Sequence, residues 1–444
     1  MKKFNKDKYL KNLKFNKYKR YLYIGISCIL VLLIGIYFAY SKFSVFKEEE
    51  VVRTTVGDFI SGDAVIGAYI DGEYSKSIPG KNDGYVVDKI VCDNDASASW
   101  DNDSWGIVLT NLTKRTKCNV YFETKNNSVN DVINEAVNTN SSMFASDDVD
   151  KNVRYIGANP NNYVYFNCSD YNNQSDSTCE KWRIIGVFNN VTKSDGTKEN
   201  LVKIIRDESI GNYSWDNKDT STAAETDYGK NDWTIARLNY LLNPGHDSES
   251  IGGSLYYNAK SGTCYADSSN ATISCDFTST GLKNDATRNA IESVVWNLGG
   301  TNTYNTSTAS MFYTTERGTT VYSGRPTTWT GKIGLMYPSD YGYATAGGSS
   351  TNRATCLAKE LNNWNSSSDC YNNDYLFNND YQWTLAPYSG GAYLVFIVRS
   401  SGLVSYSTAY YTNGVRPVLY LKSSISVGSG NGTSSSPYKL ELNS

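Results

Sequence analysis

The chain has 444 residues, of which 40% are apolar and 20% charged, with 36 Tyr, 14 Phe and 9 Trp but a single His. That balance excludes a highly charged disordered polymer, a polytopic membrane protein and His-rich metal or haem chemistry, and leaves room for two or three packed domains. The net charge of −3 hides an asymmetry: residues 1–20 hold eight Lys and one Arg against Asp7, while the chain beyond residue 40 holds 33 basic and 44 acidic residues. An acidic body argues against nucleic acid as a partner.

In chain order, the basic segment 1–20 is followed by residues 21–40, YLYIGISCILVLLIGIYFAY, which carry no charge. At about 1.5 Å per residue this run matches a hydrocarbon core about 30 Å thick, and Tyr21, Tyr23, Tyr37 and Tyr40 stand at its ends. The expectation is a single-pass transmembrane helix with the basic N-terminus cytoplasmic and the rest extracellular. Because the run exceeds the usual apolar core of a signal peptide, a retained anchor is favoured over a cleaved leader. Residues 41–56 read as a stalk.

A small β-rich module is expected over 57–123, with strand-like AVIGAYI, GYVVDKIVC, WGIVLTNL and KCNVYFE separated by Asp71-Gly72, Pro79-Gly80 and Asp83-Gly84 turns. Residues 124–150 read as a linker with a short helix carrying Val129, Ile133 and Val137 on one face. A large domain follows over 151–422, then a C-terminal tail at 423–444 with a possible edge strand. The large domain's strand-like runs are NYVYFN, WRIIGVF, LVKIIRD, KIGLMYP, WTLAP, AYLVFIV and VRPVLYLK. Two helices are expected: 233–243, with Ile235, Leu238, Leu241 and Leu242 on one face, and 285–298, ending at Gly299. Many short strands with a few helices predict an α+β class.

Outside the apolar run, which contains Cys28, the cysteines number eight and fall in neighbouring couples. Cys92 and Cys118, Cys168 and Cys179, Cys264 and Cys275, and Cys356 and Cys370 are separated by 26, 11, 11 and 14 residues. None has CxxC spacing, so they read as disulfides of an oxidising compartment rather than a zinc or redox site. Sequence leaves the connectivity open; pairing of neighbours is the reading adopted.

Four stretches carry a resemblance: CEKWRIIGVF (179–188), NDWTIARLNYLLN (231–243), KIGLMYPSDYGYAT (332–345) and WTLAPYSGGAYLVFIVRSSGLVSY (383–406) leading to GVRPVLYL (414–421). The large domain resembles bacterial surface modules related to the C-type-lectin-like fold, including its formylglycine-generating-enzyme-like branch. The resemblance implies small sheets around one core, with loops that select a ligand. The cysteines read as paired rather than reactive, and the Glu-Pro-Asn or Gln-Pro-Asp loop of calcium-dependent lectins is absent. The expectation is therefore a non-enzymatic, membrane-anchored surface protein that binds a carbohydrate or a protein, with an extracytoplasmic hydrolase or oxidase-like enzyme as the alternative and a structural envelope component as a third.

Candidate ligand-binding residues are Tyr388, Tyr393, Tyr406, Tyr410 and Tyr411, whose rings and hydroxyls suit sugars and protein epitopes alike, and Arg416, whose guanidinium is able to hold a carboxylate or to serve the fold. Asp93, Asp95, Asp101 and Asp103 offer calcium ligands or Asx turns, and the turns are preferred because the spacing departs from that of a calcium loop. His246 lacks a GxSxG elbow to serve. No phosphate loop or dinucleotide fingerprint appears, so no catalytic residue, metal or cofactor is assigned.

Overall fold

The computed structural model describes residues 64–442, apart from 82, 95, 111–114, 125–127, 218–227, 268–269 and 366–367. The expected basic segment, transmembrane helix at 21–40 and stalk lie outside the described residues. None of the described helices is long and apolar enough to cross a membrane. Strands take up 37% and helices 17%, so the expected α+β class is corrected to a mainly β architecture. The six α-helices among the described residues are short: one has 11 residues and the other five have six to eight, several of them stopping at Asn243, Ile291, Gly318 or Thr345.

The chain divides into two compact units at residue 125. In the first, strands β1 (Ala64–Ile70), β2 (Glu73–Ser75), β3 (Tyr85–Cys92) and β6 (Thr116–Thr124) form a sheet in the order β2-β1-β6-β3, while β4 (Ser97–Asp101) and β5 (Gly106–Thr110) make a separate hairpin. Strand β6 alternates, burying Thr116, Cys118, Val120 and Phe122. Trp100 and Trp105 close over Phe122, Trp100 edge-on at 5.3 Å. Cys92 faces Cys118 directly across the β3–β6 ladder, and the two form a disulfide.

The second unit begins earlier than the linker reading allowed. Helix α1 (Val129–Thr139), capped by Ser128, buries Val129 and Ile133 in the large core, so residues 126–150 belong to this unit. The same holds for the tail: β23 (Ser426–Ser429) pairs with β24 (Lys439–Glu441), and Tyr438 and Leu440 reach the core. Its larger sheet runs β17 (Ile333–Gly334), β22 (Val418–Tyr420), β11 (Lys198–Arg206), β10 (Glu180–Thr192), β8 (Val153–Tyr155), β7 (Phe144–Ala145), with β9 (Tyr163–Phe166) also on β10. Residues 182–188 of β10 and 201–206 of β11 are buried without alternation, the mark of strands covered on both faces. A second sheet has the order β12 (Asn212–Ser214), β21 (Thr412–Gly414), β18 (Gln382–Pro387), β19 (Leu394–Val398), β20 (Val404–Thr408).

Both expected helices of this unit are shorter than their patterns. Residues 233–235 form a 3-10 turn, and helix α2 spans only Arg237–Leu242, leaving Ile235 exposed. Helix α3 stops at Ala290 (Asp285–Ala290), and β-branched Val294 and Val295 open strand β15 (Val294–Asn297), which pairs with β16 (Thr328–Gly331). Three helices had no periodic signal: α4 (Ala309–Glu316), α5 (Pro338–Ala344) and α6 (Arg353–Ala358). Strands β13 (Ser261–Tyr265) and β14 (Thr272–Asp276) form a hairpin closed by Cys264–Cys275; Cys168–Cys179 and Cys356–Cys370 complete the four neighbour disulfides.

Candidate functional site

The β19–β20 hairpin builds the site. Arg399 N–H donates to the Leu403 carbonyl at 2.9 Å, and Gly402 turns the chain at φ +86°. A Cβ at Gly402 would collide with the Tyr371 ring, and the Gly402 carbonyl accepts the buried Tyr341 hydroxyl at 2.6 Å. Only glycine fits this close, left-handed corner. The corner thereby fixes where Arg399 leaves the sheet.

From there the second sheet carries a groove of about 360 Å³. Its lining includes Arg399, Tyr406 and Ser407 from the hairpin, Asp380 and Tyr381 from the approach to β18, Tyr411, Thr412 and Asn413 from β21 and its turn, and Asn212 and Asp267. This size falls in the range of small-ligand sites. Asn413 is 6% exposed, yet its Nδ2 has no hydrogen-bond partner among the described residues; Arg399 Nε is likewise buried and unpartnered. Buried donors without acceptors cost about 1–3 kcal/mol each, so a ligand that satisfies them recovers that penalty. Neither Asp267 nor Asp380 forms an ion pair with Arg399 within 4.0 Å among the described residues. The groove thus offers donors, acceptors and ring faces side by side.

The sequence-selected tyrosines divide between two clusters. Tyr388 stacks on Tyr406 at 4.6 Å, and Tyr304 meets Tyr406 edge-on at 5.0 Å, above Phe396. Tyr393 packs on Tyr228 at 4.8 Å, Tyr228 stacks on Tyr410 at 5.8 Å, and Tyr410 packs on Tyr411 at 4.5 Å. A hydrogen bond with Tyr411, then burial, pushes the Tyr410 hydroxyl up to about 12, so it stays protonated. Tyr406 and the 47% exposed Tyr411 line the groove; Tyr388, Tyr393 and Tyr410 do not.

Arg416 is corrected as a ligand residue. It is 3% exposed, and its guanidinium donates to the carbonyls of Arg206 at 2.9 Å and Leu376 at 3.0 Å and to Gln382 Oε1 at 3.1 Å. Burial draws its pKa down to about 10. It ties β11, β18 and the segment before β22 together from inside the core.

The other chemical candidates resolve into local structure. Asp101 accepts from the backbone of Asp103 at 2.9 Å and the Ser104 hydroxyl at 2.7 Å, bonds that lower its pKa, while Asp93 accepts from Lys117 N at 2.7 Å. Asp101 thus forms an Asx turn, Asp93 a bond to the neighbouring strand, and Asp95 lies outside the described residues; no group of three metal-binding side chains occurs among the described residues. His246 stacks on Tyr240 at 3.9 Å, and Ser254 Oγ receives its backbone N–H rather than its ring.

Sequence reasoning missed Arg399, Asp267, Asp380, Tyr381 and Asn413. The Ser401-Gly402 turn signals the corner that aims Arg399, but no spacing joins residue 212 or 267 to 399; pairing of β12 with β21 places Asn212, and the Asp267 N–H donating to Ser214 Oγ at 3.0 Å fastens Asp267 to β12. No protein-family description, curated protein or solved structure matches the chain.

Proposed function

We propose that this chain is a non-catalytic, extracytoplasmic binding protein whose groove between Arg399, Asn413, Tyr406 and Tyr411 takes a neutral saccharide. The observation that carries the reading is a pair of buried donors without a partner among the described residues, Asn413 Nδ2 and Arg399 Nε, set among tyrosine rings and the carboxylates of Asp267 and Asp380. A sugar ring presents hydroxyls that both accept and donate, and an apolar C–H face that packs on aromatic rings. A purely apolar or purely anionic ligand would leave part of this lining unpaired. The four disulfides support an oxidising setting, and the resemblance to lectin-like modules points the same way.

The test is binding of the purified full-length protein to an array of neutral oligosaccharides, followed by titration of the best one. Tyr406→Ala with Tyr411→Ala is expected to weaken binding at least about tenfold, the effect of losing ~1.4 kcal/mol of ring contact. Tyr393→Ala, outside the groove, should leave affinity unchanged. Equal loss in both variants, or no binding by the folded wild type, refutes the assignment. A hydrolase reading has one observation in its favour, the two carboxylates in one groove. Release of reducing sugar abolished by Asp267→Asn or Asp380→Asn would establish it instead.

A further inference from the structure

The core of the large unit holds charges that the groove does not use. Lys203, on β11, is the one buried lysine among the described residues. Its Nζ lies among the rings of Tyr337 (4.5 Å), Phe188 (5.0 Å), Trp296 (5.7 Å) and Tyr420 (5.7 Å). Its carboxylate partner is Asp340 on α5, hydrogen-bonded through Oδ2, and both side chains are wholly buried. Asp340 is held from two further directions. Arg154 Nη1 donates to Oδ1 at 3.0 Å and Tyr337 N–H donates to Oδ2 at 3.0 Å. Arg154 is itself anchored by Asp148 Oδ2 at 2.6 Å.

A buried amine and a buried carboxyl, held in contact with no solvent-exposed surface on either side chain, form an arrangement in which condensation has a large proximity advantage. Sequestered ion pairs also carry a desolvation cost that a neutral amide does not. We propose that Lys203 and Asp340 join through an intramolecular isopeptide bond between Lys203 Nζ and Asp340 Cγ, with release of one water.

The atoms balance within the pair. One ammonium proton passes from Nζ to Oδ2, leaving a neutral amine and a neutral acid. The amine lone pair attacks Cγ, and the negative charge that develops on Oδ1 faces the Arg154 guanidinium, placed as an electrostatic stabiliser. A second Nζ proton then moves to Oδ2, the Cγ–Oδ2 bond breaks, and Oδ2 departs as water. An ammonium and a carboxylate have become an amide and water, with no oxidant or co-reactant. Arg154 keeps Asp148 as its counter-ion.

Burial draws the Lys203 amine down to about 8 even against the pull of Asp340, a shift towards the neutral form that the attack requires. Asp340 stays at about 2, because Lys203 and Arg154 outweigh its burial. The first proton transfer is therefore uphill. The reaction is a slow, single event after folding, not a turnover. Its product would clamp β11 to α5 across 137 residues of sequence, covalently closing the core of the unit.

The experiment is intact mass spectrometry of the reduced, denatured full-length protein, followed by tryptic mapping. The expected mass is one water below that of the sequence. The expected digest contains a branched peptide joining the Lys203 and Asp340 segments, with cleavage after Lys203 blocked. Lys203→Arg and Asp340→Ala should each restore the full mass. The wild-type measurement decides even if either variant fails to fold. A full-mass wild type, or a water loss confined to a linear peptide as in a succinimide, overturns the proposal.

Discussion

Glu316, the last residue of α4, has a side chain with no solvent exposure. Its Oε1 accepts Ser339 N–H at 2.9 Å, its Oε2 accepts the Ser339 hydroxyl at 2.5 Å, and Arg317 Nη1 lies 3.4 Å away. Burial raises the carboxyl from 4.5 to about 7, although Arg317 and the Ser339 bonds oppose the rise. The native state therefore holds this proton through a window in which the unfolded chain has released it. Stability from the group is complete below pH 4.5 and is lost as pH rises towards about 7. A displacement of that size converts to about 3 kcal/mol, a large share of the 5–15 or so that holds a typical domain together. Glu316→Gln keeps one oxygen for Ser339 N–H and removes the titration. The assay is urea unfolding of wild type and variant, followed by tryptophan fluorescence, at a series of pH values across this window. Any fixed cost of the amide cancels when pH values are compared. The variant should gain about 3 kcal/mol on the wild type between pH 4.5 and pH 7.5. A stability difference that stays flat across this range would refute the reasoning.

Three other perturbations probe the architecture. Arg416→Lys should cost about 3 kcal/mol in urea unfolding, because a single ammonium cannot serve the three acceptors spread over Arg206, Leu376 and Gln382, while the affinity of the folded fraction for saccharide stays constant. Gly186→Ala sets a Cβ against the Val153 carbonyl and 2.9 Å from Arg154 Cα, where β8 pairs antiparallel with β10, and should lower stability by ~3 kcal/mol, read as a fall in melting temperature. Replacing Cys264 and Cys275 together by Ser opens a loop of 11 residues and should cost about 3 kcal/mol, with faster amide exchange across β13 and β14 as the local signature.

Sequence by itself determined the features that depend on near neighbours. Closely spaced cysteines meet because a short chain between them limits where they can go, and all four neighbour pairs are disulfides. Apolar β-branched runs such as WRIIGVF and LVKIIRD become strands because their side chains suit a pleated, covered surface. Tertiary structure decided what depends on distant pairing. Val294 and Val295 fit a helix pattern, yet β16 offers them a ladder; Arg416 looks like a free cation in sequence, yet three acceptors up to 210 residues away enclose it. The groove is the clearest case. Asn212, Asp267, Asp380, Arg399 and Asn413 meet only because β12 pairs with β21 and β21 with β18, and Lys203 meets Asp340 only because β11 and α5 share one core. Local chain stiffness leaves its mark over a few residues, whereas a site is a coincidence of positions that only the folded core brings about.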